Sequence, residues 1–263
     1  PPRPSRQGCS HQGKRYAGKG QESRRIEYHS DMRNAVRLDS DLQDESSPRV
    51  SLFPGMEILE IGVFFEDQAR VSGYKFIAGV DEVGRGCLAG PVVAAACILD
   101  HTKPLPDGIN DSKKLTRQQR DAITVELKEH CLAYAVGQIE ADEIDRINIL
   151  EATKKAMLAA ISALPQPADF LLIDALQLKL SPLPQKAIIK GDAISVSIAA
   201  ASILAKTYRD QLMTDYDAEY PVYGFAGHKG YGAATHLEAL RNHGPCPLHR
   251  KSFRGVLPDA VPA

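Results

Sequence analysis

Four acidic residues of this chain stand at the ends of apolar runs. Asp81 and Glu82 close the run FIAGV and are followed at once by Gly84-Arg85-Gly86. Asp174 closes the run LLID, and Asp192 follows Lys190-Gly191 just ahead of a stretch of small residues. In open α/β sheets chemistry collects beyond the carboxyl ends of the strands, so acids carried there by three different strands can converge. Neighbouring acids on a strand point to opposite faces, but a turn at a frayed strand end brings both toward one site. A cluster of carboxylate oxygens without soft ligands suits Mg²⁺ or Mn²⁺, and two such ions about 3.5 to 4 Å apart stabilise the attacking and leaving oxygens of phosphodiester hydrolysis. Taken singly, an Asp after a strand is more often a turn former or a helix cap. The signal lies in the convergence.

Phosphate chemistry also needs local positive charge. Lys113 and Lys114 precede a helix start, where free backbone amides attract anions, and Lys206 and Arg209 share a helix face. His228, Lys229, Arg250, Lys251 and Arg254 add charge near the C-terminus. A charge run is more often only a solvated face. His228, His236, His243 and His249 lack the spacing of a zinc site and read as structural or phosphate-proximal. In Gly84-Arg85-Gly86 the missing Cβ atoms would let the backbone approach a ribose closely, with a simple tight turn as the equal alternative.

The elements that must position these residues follow from periodicity. Phe76 to Val83, Pro91 to Leu99 and Ala133 to Glu140 read as a three-strand meander. Thr116 to Gln119 forms a capping box opening a helix to about Cys131. Asn148 to Glu151 does the same for a helix whose Leu150, Met157, Ile161 and Leu164 share a face. Phe170 to Ala175 has the unbroken apolar character of a buried parallel strand, and Lys186 to Lys190 is a fifth strand. A long helix runs from Ile194 to about Tyr220, and Thr235 to Glu238 caps a last one. Together they predict an α/β domain, a mixed five-stranded sheet flanked by helices with a small C-terminal helical extension.

Composition narrows the class. The chain has 263 residues, 43% hydrophobic and 25% charged, with net charge −1 and a pI near 6.8, so nucleic-acid affinity must come from local clusters and not from bulk charge. Five scattered cysteines with no CxxC pair exclude a disulfide framework and a thiolate zinc site, and a reducing cytoplasm is expected. The longest apolar runs are too short to span a bilayer, so no membrane association is expected. Residues 1–55 are polar and of mixed charge, expected to be a disordered tail. With no Met at position 1, the segment MEILEIGVFFEDQAR from Met56 is the expected natural start. Residues 56–73 are a lead-in, 74–256 the catalytic domain and 257–263 a short tail.

Six strings carry more than the pattern. GVDEVGRGCLAGPVVAAA from Gly79, DSKKL from Asp111, LLIDA from Leu171, KGDAISVSIAAASILAKTYRD from Lys190, GFAGHKGYGAATH from Gly224 and GPCPLHRKSF from Gly244 together resemble bacterial ribonuclease HII over roughly residues 74–256. Val83 stands where Ala is more familiar, and the first 55 residues find no counterpart. The resemblance implies a ribonuclease H-like fold, with Asp81, Glu82, Asp174 and Asp192 as catalytic ligands of Mn²⁺ or Mg²⁺. It implies that Gly84, Arg85 and Gly86 read a ribose 2′-OH together with Tyr231, and that Lys113, Lys114, Lys206 and Arg250 contact substrate. The implied substrates are RNA-DNA hybrids and duplex DNA containing ribonucleotides, cut by a monomer to leave 5′-phosphate and 3′-hydroxyl ends. An integrase-like nuclease could share the sheet and the acids without the 2′-OH reader. A non-catalytic hybrid-binding module would tolerate loss of the acids, yet all four are present.

Overall fold

The computed structural model describes residues 61–257, together with the backbone of three short strands, β1 (Val36–Leu38), β2 (Val50–Phe53) and β3 (Met56–Ile58), that pair antiparallel in the order β1-β3-β2. Apart from these strand positions, the expectation of a disordered 1–55 and the short tail beyond 257 lie outside the described residues.

The main sheet has five strands in the order β6-β5-β4-β7-β8, where β4 is Ile77–Val83, β5 Val92–Leu99, β6 Cys131–Ile139, β7 Phe170–Asp174 and β8 Gln185–Ile188. Strands β4, β5 and β6 form the expected antiparallel meander, while β7 and β8 run parallel to β4. The mixed sheet explains the strand chemistry. Every residue of β5 is buried, because helices cover both faces and an alternating polar side is not tolerated there.

One face packs α4 (Ile149–Ser162), whose Ala152, Ala156, Met157 and Ala160 meet Val80, Ala94, Ala96 and Ile98. The other face packs α2 (Arg117–His130) and α5 (Val196–Glu219), whose Leu127, Ala200 and Leu204 meet Val93, Ala95 and Cys97. Small residues at these contacts let the layers approach closely. At Gly79 the approach is so close that a Cβ would lie 2.1 Å from the Ser197 backbone, which fixes α5 across β4 two residues before Asp81.

The capping box at Thr116 is present, with its side chain accepting from Gln119 N, and Asn148 caps α4 through Leu150 N and Glu151 N. Three details differ from expectation. Leu150 is 39% exposed, because Thr153 and Ala152 hold the inward face of α4. The last helix, α7 (Ala234–His243), begins at an Ala233 N-cap without a side-chain cap, so Thr235 lies inside it. Two short helices were not anticipated, α1 (Phe64–Val71) and α3 (Ala141–Ile147), each of only about two turns, too few to establish an apolar spacing in the sequence. In α1 the buried Glu66 accepts from Ser195 Oγ at 2.7 Å and Ser197 N at 3.0 Å, docking the lead-in on the start of α5.

The C-terminal extension comprises a short helix, α6 (Phe225–His228), and α7, and packs Phe225, Leu240 and Cys246 against Met213 near the far end of α5 and Leu88 after β4. Among the described residues no helix is long and apolar enough to cross a membrane.

Candidate active site

The carboxyl ends of β4 and β7 and the turn before α5 open onto one cleft of about 330 Å³, lined by Asp81, Glu82, Asp174 and Asp192 together with Gly84, Arg85, Gly86, Lys113, Lys206 and Tyr231. The four acids come together as the sequence predicts. Asp81 and Glu82 are the fifth and sixth residues of β4, opposite Ala95 and Ala94 of β5, and Asp174 is the last residue of β7. Asp192 sits in a single 3-10 turn, Gly191–Ala193, entered through a left-handed Lys190. That turn is tied to β7, since Gly191 N donates to Asp174 Oδ1 at 2.7 Å.

Electrostatics set these acids apart. Burial, followed by the charges of Glu82 and Asp174, pushes the Asp81 carboxyl well above the usual carboxylate range. Glu82 is raised by burial and by Asp174 against the opposing pull of Arg85, and Asp174 is raised by burial and by Asp192. A group of acids that raise one another calls for a cation. Two side chains answer in part: Lys113 Nζ donates to Asp192 Oδ2 at 3.1 Å, and Arg85 Nη1 donates to Glu82 Oε1 at 3.2 Å. Burial lowers the Lys113 pKa, but its hydrogen bond to Asp192 and the nearby carboxylates outweigh this and raise it. Among the described residues no three His, Cys, Asp or Glu groups already stand at the mutual spacing of one ligand shell. The donor set nonetheless fits a hard divalent cation. It is all carboxylate oxygen, and Glu82 Oε2 is buried without any hydrogen-bond partner.

The remaining predicted residues divide. Lys206 lines the cleft, pairs with Asp210 at 2.7 Å and lies 5.8 Å from the centre of the Tyr231 ring. Tyr231 is 42% exposed at the cleft wall. Gly86 has open space where a Cβ would be, whereas at Gly84, with φ of +88°, a Cβ would lie 2.2 Å from Arg209 Nε. Gly84 is therefore explained by its backbone conformation and by the guanidinium packed against it, not by room left for a ribose. Lys114 is exposed and does not line the cleft.

Arg250 departs from expectation. Its side chain is fully buried, with Nε and Nη2 on Gly90 O at 3.0 and 2.8 Å and Nη1 on Arg85 O at 2.9 Å. A guanidinium with its donors spent on carbonyls behind the turn does not face the cleft; it holds the Arg85 segment from below.

Arg209 has a similar and unforeseen part. Fully buried, it donates to Pro91 O, Lys229 O and Ala89 O at 3.0, 2.8 and 3.0 Å, locking the turn after β4 to the loop that carries Tyr231. A signal was available. Ser202, Ala205, Arg209 and Met213 follow helical spacing and are all buried, so Arg209 lies in the line of a core stripe.

His236 and His249 are structural. Cys246 N donates to His249 Nδ1 at 3.0 Å, which leaves His249 Nε2 to donate to His236 Nε2 at 3.0 Å, and His236 Nδ1 then donates to Tyr231 O at 2.8 Å. Neutral rings are required throughout this chain. Burial, followed by His236, pushes the His249 pKa down to about 4.

Comparison with known proteins completes the description. The family model described as Ribonuclease HII matches residues 78–256. A ribonuclease HII of Syntrophotalea carbinolica is 51% identical over 207 residues, covering 79% of this chain and 98% of that one. One from Chlamydia trachomatis is 57% identical over 193 residues, covering 73% and 88%. Among solved structures, ribonuclease H2 from Pyrococcus horikoshii superposes with a TM-score of 0.60 at 26% identity, covering 69% of this chain and 95% of that one. The Bst ribonuclease HIII in complex with Mn²⁺ shares the fold, with a TM-score of 0.56 at 17% identity over 86% of this chain and 91% of that one. The match spans β4 to the end of the C-terminal extension and includes all four acids, and this chain belongs to the ribonuclease HII family.

Proposed function

We propose that this nuclease hydrolyses the RNA strand of RNA-DNA hybrids and cuts duplex DNA at single embedded ribonucleotides, acting as a monomer whose catalytic domain is residues 74–256. Asp81, Glu82, Asp174 and Asp192 would hold Mn²⁺ or Mg²⁺. The observation that carries this reading is their convergence, from three separate elements, in one cleft whose wall is Gly84-Arg85-Gly86 and Tyr231.

Divalent cations held by Asp81, Glu82, Asp174 and Asp192 would supply Lewis acidity toward a hydrolytic water and charge neutralisation at the departing 3′ oxygen, and the products would carry 5′-phosphate and 3′-hydroxyl ends. The chain's own residues supply the rest. Gly191 N–H fixes the Asp174 carboxylate, and Lys113 restrains Asp192 while remaining exposed toward the opening. The backbone at Gly86, open where a Cβ would stand, and the half-exposed Tyr231 would hydrogen-bond a 2′-OH, a reading supported by their exposure at the cleft wall. Arg250 supports that backbone by taking Arg85 O. A site built to bind a hydroxyl rejects the analogue lacking it by roughly 10⁴-fold, because its own polar groups are left unpaired.

The test is cleavage of a DNA duplex containing one ribonucleotide beside the same duplex in all-DNA form, with and without Mg²⁺ or Mn²⁺. Metal-dependent cutting at the ribonucleotide alone is expected, with 5′-phosphate ends. Equal cleavage of both duplexes would overturn the reading.

A further inference from the structure

Along α5, Ser202, Lys206 and Asp210 recur every four residues and form one stripe facing the loop Asp111 to Leu115. Ser202 Oγ shares a 3.0 Å hydrogen bond with Ser112 Oγ, and both side chains line the cleft. Asp210 is 7% exposed and carries two cations at once. Its Oδ1 accepts from Lys206 Nζ at 2.7 Å, and its Oδ2 accepts from Arg120 Nη2 at 3.2 Å. Arg120 in turn donates through Nη1 to Leu115 O at 2.6 Å and Ser112 O at 3.2 Å, the ends of the segment that holds Lys113.

We infer that Asp210 is a positioning residue for nucleic-acid binding, one carboxylate that aims Lys206 into the cleft beside Tyr231 and, through Arg120, clamps the loop that presents Lys113. The inference rests on the hybrid-cleaving function proposed above, because it takes a polyanion as the ligand of Lys206. A long lysine side chain left free samples many rotamers, and fixing it beforehand removes that ordering cost from binding. Asp210 does not itself line the cleft and lies buried between two cations.

The sign of the effect separates positioning from simple electrostatics. An acid near a site for phosphates opposes their binding, so its removal ordinarily tightens binding to nucleic acid. If Asp210 works by aiming Lys206, Asp210→Asn loosens binding although the cleft becomes more positive. The experiment measures the Kd of the full chain for a short RNA-DNA hybrid in EDTA, in Asp210→Asn, Lys206→Ala and the double variant. Asp210→Asn is expected to weaken binding at least about fivefold when Lys206 is present and by a clearly smaller factor in the Lys206→Ala background, where only the clamp on the Lys113 loop is left to lose, the non-additivity of residues acting through one another. Asp210→Glu keeps a charge within reach of both cations and is expected to bind more tightly than Asp210→Ala, which gives a second reading should the Asn variant be poorly folded. Unchanged or tighter binding by Asp210→Asn overturns the inference. So does equal weakening in both Lys206 backgrounds, or binding by Asp210→Glu no tighter than by the unpaired Asp210→Ala. Failure of the unaltered chain to bind the hybrid would instead overturn the functional reading and this inference with it.

Discussion

Replacing Asp174 by Asn removes one negative charge from the cleft while leaving the shape of the side chain and an acceptor for Gly191 N, which Asp174 Oδ1 engages at 2.7 Å. The turn holding Asp192 should therefore keep its place. Asp174 is one of the acids whose carboxyl is raised by burial and by a neighbouring acid, so in the folded chain its charge is disfavoured. Removing it relieves repulsion with Asp192, and the melting temperature in metal-free buffer should stay level or rise. Catalysis responds in the opposite direction. Loss of one of four ligand charges removes about 4 kcal/mol or more of transition-state stabilisation, a fall in rate of at least about a thousandfold. The assay is single-turnover cleavage of a duplex with one embedded ribonucleotide in Mg²⁺, paired with thermal melting in EDTA. Near-normal turnover would show that Asp174 is no ligand. A fall of many degrees in melting temperature would show that the carboxylate serves the fold, and would refute the electrostatic reasoning even if activity were lost.

Tyr231→Phe keeps the ring near Lys206 and removes the hydroxyl, so it should lower the rate on a single embedded ribonucleotide by roughly tenfold, the worth of one hydrogen bond, and lower it less on a long hybrid with many registers. Arg250→Lys should be strongly destabilising, by about 3 kcal/mol or more in chemical denaturation, because one ammonium cannot span both Gly90 O and Arg85 O; a loss of activity with full stability would return Arg250 to the substrate. The His249 pKa, about 4 against an ordinary 6.5, makes the neutral ring the folded form. Its stability contribution is thus complete above pH 6.5 and is lost as pH falls from there toward 4, by up to about 3 kcal/mol. His101, also held near 4 by burial, contributes a fall of its own, so the check is that His249→Asn makes the pH dependence of unfolding shallower.

The parts of the fold that were legible are those where one physical pattern dominates. The unbroken apolar runs of β5 and β7 mark strands covered on both faces, and acids at the ends of such strands have few places to go but the cleft beyond them. The caps at Thr116 and Asn148 were legible because their chemistry is local. Arg209, Asp210 and Arg250 were not. Each has a partner on a carbonyl or side chain about 90 to 165 positions away, and composition does not distinguish a basic residue bound for the interior from one bound for phosphate; only for Arg209 did the helical spacing of a core stripe offer a hint. Gly84 shows the same limit, since a tight turn and a ribose contact ask for the same residue, and only Arg209 beside it decides between them. Leu150 failed in the other direction, because a small-residue stripe brings α4 so near the sheet that a leucine on its first turn stays at the rim.

The guanidinium of Arg209 also bears on how the molecule comes apart. Stripped of water, it is satisfied only when the segment with Ala89 and Pro91 and the loop with Lys229 are both in place. A partly opened form, with the sheet intact and the C-terminal extension swung away, would cost the Nη1 donor its Lys229 partner at about 1 to 3 kcal/mol and uncover the apolar contacts of Phe225, Leu240 and Cys246 with Met213 and Leu88. Such a form is high in free energy, so the extension is not a separately melting appendage. Its amides, those of Ala239 and Leu240 in α7 among them, should exchange with solvent through the same global opening as the amides of β4 and β5.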